Sequence, residues 1–284
     1  MNFKYSKEAS ERIRRNYDQY AEAEWERLDK TPKDKVQFFI HNRYLHQHIK
    51  SGDKVLEIGP GPGRFTIELA KLGAKIYEID ISEVQLKLNE EKLKSFGLED
   101  SVVWRKIMDV ADLSELSDNE FDAVVCYGGP ISYVFDKAAH AISELIRVTK
   151  SKGYIFISVM SLLGTCQFFL EPVLQIATEH GPELIDDLIE HGNVVGKLVG
   201  PDTPDHICHM FTWSELKEIL DQFNCEIVVA SAANYLSNTR EEVVKSFCAD
   251  PVLWEKFLHW ELELCKQEGA IDAGTHMLTV IKKL

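Results

Sequence analysis

No stretch of the chain stays apolar for the roughly 18–20 residues that a bilayer crossing needs, so no membrane span is expected. The first residues, MNFKYSKEASERIRRNYDQYAEAEWERL, are too charged for a secretory leader and lack its apolar middle. A cytoplasmic location is therefore expected, where thiols stay reduced. Among the six cysteines, Cys126, Cys166, Cys208, Cys225, Cys248 and Cys265, there is no Cys-x-x-Cys pair. They read as small buried residues, and no metal site is expected. Dense Lys/Arg runs are missing as well. Lys plus Arg number 32 against 46 Asp plus Glu, a formal charge of −14. A phosphate backbone is bound chiefly by clustered cations, so this balance argues against a nucleic-acid partner. Internal repeats and low-complexity segments are absent too.

What is present is 284 residues of 45% hydrophobic content, enough to bury the core of one enlarged domain. Residues 8–29 pattern as a charged amphipathic helix with Tyr17, Tyr20 and Trp25 on its less polar side, and a second helix covers 34–49 after Thr31-Pro32. From residue 54 strands and helices alternate. Strands are expected at 54–58, 74–79, 102–107, 121–127 and 154–160, with helices at 64–72, 83–96 and 137–148. Such alternation indicates crossover units and a mostly parallel, doubly wound α/β sheet. It breaks after Met160: residues 161–208 read as helical pieces with a loop around 192–204. A helix at 213–223 and strands at 226–230 and 277–281 restore it, around a helical stretch at 240–267. The expected organisation is an N-terminal helical cap (1–50), an α/β core (51–160), a helical insertion over the acceptor (161–208) and a C-terminal part of the core (209–284) that contains the 240–267 insertion.

The informative segment is Val55-Leu56-Glu57-Ile58-Gly59-Pro60-Gly61-Pro62-Gly63-Arg64-Phe65. An apolar strand runs into glycines at alternate positions, and a helix follows. Glycine permits the sharp turn and lets a ligand approach a backbone that carries no Cβ. A dinucleotide fold wants a third glycine where Arg64 stands. Glu57, two residues before Gly59, is awkward beside pyrophosphate but suits the ammonium of a methionine moiety. The pattern therefore favours S-adenosylmethionine (SAM) over NAD. Asp80 ends the second strand, where its carboxylate can accept from both ribose hydroxyls while Ile81 packs on adenine. Asp109, followed by Val110, lies just after the third strand and can accept from the adenine amino group. Three acids beyond three successive strands share the crevice where open α/β sheets bind ligands.

These residues resemble the class I SAM-dependent methyltransferases. Glu-Ile-Gly-Pro-Gly-Pro-Gly looks like the family's first motif, Asp80-Ile81-Ser82 its second and Asp109-Val110 its third. Phe121-Asp122-Ala123-Val124-Val125 resembles the fourth strand, and Arg147 to Gly153 the helix and turn before the fifth. The resemblance is strong over residues 50–160 and weaker through Phe211-Thr212-Trp213-Ser214-Glu215-Leu216. More narrowly, Tyr17-Asp18-Gln19-Tyr20-Ala21 through Trp25, the Gly-Pro-Gly-Arg loop and Gly274-Thr275-His276-Met277 look like a bacterial branch that acts on small molecules. It implies a Rossmann-like sheet of seven strands, the last antiparallel, with an N-terminal helix folding over the cofactor. It also implies a SAM-dependent methyltransferase with a small-molecule acceptor and S-adenosylhomocysteine (SAH) as product. A non-catalytic SAM-binding module is the alternative, and an NAD-dependent oxidoreductase a more distant one.

After the fourth strand stands Cys126-Tyr127-Gly128-Gly129-Pro130 rather than the Asn-Pro-Pro-Tyr of enzymes that methylate nucleobase or glutamine nitrogens. The resemblance makes Tyr127, Gly128 and Gly129 line the methyl-transfer site, and Tyr20 a lid residue at the methionine end of SAM. His206 and His209, where the insertion returns to the sheet, are the candidate bases, since histidine titrates near neutrality. His276 reads as structural, and Arg43 as either a partner for the SAM carboxylate or a solvated residue. The aromatics Phe168, Phe169, Trp254, Phe257 and Trp260 suit an acceptor pocket, a packed cap or a homodimer interface equally.

Overall fold

In a computed structural model, residues 3–199, 205–238 and 240–284 are described. The chain opens with α1 (Lys7–Tyr20), α2 (Glu22–Glu26) and α3 (Pro32–His48). Ser6 caps α1 by accepting from the Ala9 N–H. Thr31 and Asp34 form a reciprocal capping box at the start of α3, with Pro32 in the first turn, where its missing N–H costs nothing. The single helix expected at 8–29 is broken at Ala21, whose φ of 39° is left-handed. That break turns α2 across the sheet instead of continuing α1 past it.

Next come β1 (Lys54–Ile58), α4 (Arg64–Lys71), β2 (Lys75–Asp80), α5 (Glu83–Phe96), β3 (Val102–Ile107), β4 (Phe121–Cys126), α6 (Ala138–Val148) and β5 (Thr149–Met160). Three helices follow, α7 (Leu162–Phe168), α8 (Leu170–His180) and α9 (Glu183–His191), and then a two-residue ribbon that pairs Asn193–Val194 with Cys208–His209. The end of the loop expected around 192–204, from residue 200 on, lies outside the described residues. The chain finishes with α10 (Trp213–Leu220), β6 (Cys225–Ala232), α11 (Glu241–Cys248), α12 (Pro251–Cys265) and β7 (His276–Lys283). The helical stretch expected at 240–267 is two helices, because Asp250 is extended ahead of Pro251 and caps α12 through the Val252 and Leu253 N–H groups.

The seven strands form one sheet in the order β3-β2-β1-β4-β5-β7-β6, with β7 antiparallel to both neighbours. This is the Rossmann-like, doubly wound α/β sheet that the sequence leads one to expect, flanked by helices. Side chains alternate across it. On β4, Val124 and Cys126 join α6 and α10 in one core, while Ala123 and Val125 join α3, α4 and α12 in the other. Strand order reverses between β1 and β4, so the carboxyl ends of these two neighbours diverge into opposite crossovers and leave a crevice.

Candidate active site

The crevice is a cavity of about 960 Å³, counting the part open to solvent. Its floor is the β1–α4 loop. Gly59, Gly61 and Gly63 have φ of 64°, 54° and 94°, a region where other residues are strained by roughly 1–2 kcal/mol each. Space matters at Gly59 as well: a Cβ there would stand 2.8 Å from Pro130 Cγ. The Gly59 N–H donates to the Ile79 carbonyl at 2.8 Å, tying the loop to β2.

Glu57, Asp80, Ile81, Asp109 and Val110 all line this cavity, as do Gly59, Gly61, Tyr127 and Gly128. Glu57 is only 2% exposed, and its Oε2 has no hydrogen-bond partner. Burial, followed by repulsion from neighbouring Glu78, raises its proton affinity well above the usual carboxylate range. A buried acceptor without a donor is costly, and an ammonium from a ligand would answer it. Asp80 accepts from the Ser82 N–H at 2.8 Å and the Gly61 N–H at 3.3 Å. Burial pushes it up to about 6, against the pull of those two donors. Asp109 is more heavily engaged. It accepts from the Tyr5 and Ser10 hydroxyls, the second at 2.8 Å, and from the Ala111 N–H at 2.9 Å. The acid expected to meet adenine therefore also ties the N-terminal segment down over the site.

That segment is the roof. Tyr5, Ile13, Tyr17, Glu24, Arg27 and Leu28 line the cavity, whereas no described residue of 161–208 does. Gln85 donates to the Tyr17 carbonyl at 2.7 Å, Ser82 Oγ pairs with Asp18 at 2.6 Å, and the Tyr17 and Tyr133 hydroxyls meet at 2.6 Å. Tyr20 is not among the lining residues; its ring packs against Tyr17, which takes the lid position in its place. Arg43 is exposed on α3; the cations that line the cavity are Arg64, over the rings of Trp25 and Phe38, and Arg27, held by Glu24 at 2.7 Å. The spacing Glu24-x-x-Arg27 was the available signal for this pair, but surface ion pairs at that spacing are common on helices.

The candidate bases fare differently from the cofactor residues. His209 faces a second hollow; its Nδ1 pairs with Asn193 Oδ1 at 2.8 Å and its Nε2 with Glu215 at 2.9 Å. With both ring nitrogens engaged and the cavity elsewhere, it is not placed to take a proton from an acceptor there. His206 packs edge-on against Tyr133, outside the lining, and burial lowers its proton affinity. Tyr127 does line the cavity, but its hydroxyl points to the His41 carbonyl at 3.4 Å, and burial raises its pKa well above the ordinary value. It keeps its proton and acts as a wall. Gly63 caps α4 just behind the lining residues. Among the described residues no helix is long and apolar enough to cross a membrane, and no group of three or more metal-ligating side chains is found.

A glycine-rich β1–α4 loop, acids at three successive strand ends and this strand order define a SAM-dependent methyltransferase fold. Residues 55–153 match the methyltransferase-domain family model, so this segment carries a methyltransferase domain. It is 34% identical over 123 residues to a ubiquinone biosynthesis O-methyltransferase from Methylococcus capsulatus, covering 43% of this chain and 50% of that one. It is 29% identical over 143 residues to a ribosomal protein L11 methyltransferase from Syntrophomonas wolfei, covering 47% and 44%. The chain thus spans about half the length of these relatives. Among solved structures, a SAM-dependent methyltransferase from Methanosarcina mazei superposes with a TM-score of 0.55 at 20% identity, over 85% of this chain and 97% of that one. The [4+2]-cyclase SpnF superposes at 0.54 and 19% identity, over 87% and 80%.

Proposed function

We propose that this protein transfers the methyl group of SAM to a small molecule, with SAM lying along the β1–α4 loop and the acceptor beyond Gly128. The observation that carries this reading is Glu57, a buried carboxylate with one oxygen unanswered, at the end of a cavity that also presents Asp80 to a ribose and Arg27 to a carboxylate. Ile81, Met108 and Val110 offer apolar walls for a purine. Where an NAD fold would place its third glycine stands Arg64, whose guanidinium covers the rings of Trp25 and Phe38. That argues against a dinucleotide.

SAM carries its own activation, because its sulfonium is the leaving group. The residues then have to align the acceptor and exclude water. Alignment alone can supply roughly 7–11 kcal/mol of a barrier. Tyr127 and Tyr133, both protonated and buried, close the site beside Gly128, and Tyr5, Tyr17 and Leu28 close it from above. A roof built from the chain itself favours a small acceptor over a protein surface. Because the same fold also serves a cyclase, fold alone does not give the reaction.

The test is a melt with SAM, with SAH and with NADH, followed by SAH release on incubation with small-molecule acceptor libraries. A ligand that binds only the folded state stabilises it by about 2.7 kcal/mol at a hundredfold excess over its Kd. Stabilisation by SAM and SAH but not NADH, with SAH release, is expected. Stabilisation by NADH alone would defeat the reading, and SAM binding without turnover would leave a non-catalytic SAM-binding module.

A further inference from the structure

Asp109 is held from two sides. Its Oδ1 accepts the Ala111 N–H at 2.9 Å, a turn closed within the loop after β3. Its Oδ2 accepts two hydroxyls from the start of the chain, Ser10 Oγ at 2.8 Å and Tyr5 Oη. The first contact is local, and an aspartate in a turn makes it without help from the rest of the fold. The second pair spans 99 and 104 positions of sequence, so it forms only when the N-terminal segment lies over the site.

That segment is seated independently of Asp109. The Tyr5 N–H donates to Asp136 Oδ1 at 2.8 Å, and the Phe3 and Phe135 rings pack with centroids 4.5 Å apart. Ala9 and Ile13 share a cluster of buried side chains with Tyr133, Phe135 and Ile207. Burial, followed by the charge of Asp109, raises the Tyr5 pKa, so the phenol keeps its proton and donates. A carboxylate offers about four lone-pair positions. Tyr5, Ser10 and Ala111 occupy three, two of them on Oδ2, which leaves one open on Oδ1. All three donors are neutral, so they orient the carboxylate without pairing its charge. The open position belongs to a side chain that lines the cavity beside Met108 and Val110.

Resting on the reading above that puts adenine against Val110, we propose that Tyr5 and Ser10 are positioning residues for cofactor specificity: they hold Asp109 so that the open lone pair of Oδ1 meets the adenine 6-amino group. Without them only the Ala111 N–H restrains the carboxylate, and either oxygen can turn to water. With Oδ2 taken by the N-terminal segment, closure of that segment and recognition of the amino group become one event. By linkage, a ligand that engages the amino group holds the segment down as much as the segment holds the ligand.

The experiment is calorimetric titration of the wild type and a Tyr5→Phe/Ser10→Ala double variant with SAH and with its analogue in which hydrogen replaces the 6-amino group. The wild type is expected to bind SAH about tenfold or more tightly than the analogue, the equivalent of one hydrogen bond to a charged acceptor. In the double variant SAH should weaken while the analogue changes little, so that the gap shrinks to about threefold or less. Amide hydrogen exchange over α1 should be slowed more by SAH than by the analogue in the wild type. Equal weakening of both ligands would make Tyr5 and Ser10 ordinary roof contacts and overturn the inference. An unchanged gap in the variant, or equal slowing of exchange by the two ligands, would overturn it as well. Binding of both ligands to the wild type without discrimination would overturn this inference alone, whereas failure of both to bind would overturn the cofactor reading along with it.

Discussion

The two ends of the cavity differ in their chemistry and in how the chain builds them. The proposed cofactor end is acidic: Glu57, Asp80 and Asp109 stand at or just past the ends of three neighbouring strands, β1, β2 and β3. The proposed acceptor end is built from distant segments: Arg27 comes from the roof, Tyr127 and Gly128 from the end of β4, and Tyr133 from the turn after it. One end is written locally, each acid following its own strand. The other exists only after the chain has closed, since Arg27 of the roof reaches Gly128 at the end of β4 through the tertiary fold. A cofactor site with the same demands everywhere can live in contiguous loops, whereas an acceptor site can be assembled from the variable cap around it.

The largest effect expected is at the acidic end. Asp80→Ala removes an acceptor to which two ribose hydroxyls can donate, and hydrogen bonds to a charged group contribute about 1.5–3 kcal/mol each. SAH affinity should fall by roughly a hundredfold or more while the melt stays cooperative; retained affinity in calorimetry would place the ribose elsewhere. The pH dependence has a definite sign. In the free protein Asp80 is pushed up to about 6, and ligand hydroxyls favour its ionised form. SAH affinity should therefore decline as pH falls through about 6, and binding there should release protons, seen as heats that vary with buffer ionisation enthalpy.

Arg27 joins the two ends, and its substitution sharpens the boundary between them. If it holds the SAM carboxylate, Arg27→Gln should raise the KM for SAM about ten- to a hundredfold, with a smaller effect on the KM for the acceptor. The reverse order would move Arg27 to the acceptor end. A variant at His209 should change neither, because that ring is spent on Asn193 and Glu215 outside the cavity.

Most of the sheet and of the cofactor end was legible in the sequence, for a physical reason. Strand periodicity, alternating glycines and an acid after each strand are short-range patterns, and β1, α5 and β3 fall where those patterns put them. The roof was half legible. An aromatic helix over the cofactor was expected, but the break at Ala21 changes which residues face inward, so Tyr17 and Arg27 line the cavity where Tyr20 was expected. No periodicity reveals one left-handed alanine. The acceptor end was not legible. His206 and His209 looked equivalent, yet in the structure one packs on Tyr133 and the other turns to Glu215. His276 read as structural, and it stands at the start of β7 outside the cavity lining.

The smallest effect separates the two ends by the sign of their pH linkage. His276 is held down to about 3 from an ordinary 6.5. Between those values the unfolded chain binds a proton that the folded chain does not, so this residue makes stability fall as pH drops below 6.5. Glu78, beside Glu57 on the acidic side, is raised by burial to about 7 from 4.5. Between those values the folded chain holds the extra proton, so Glu78 makes stability fall as pH rises. Around pH 5–6 both act, in opposite directions, each with a slope near 1.4 kcal/mol per pH unit. Urea melts of the ligand-free protein across that window should show His276→Gln making the dependence on pH more negative and Glu78→Gln making it more positive, by up to about that slope. Changes of the same sign in both variants would mean that burial does not hold His276 and Glu78 in the charge states that their surroundings require.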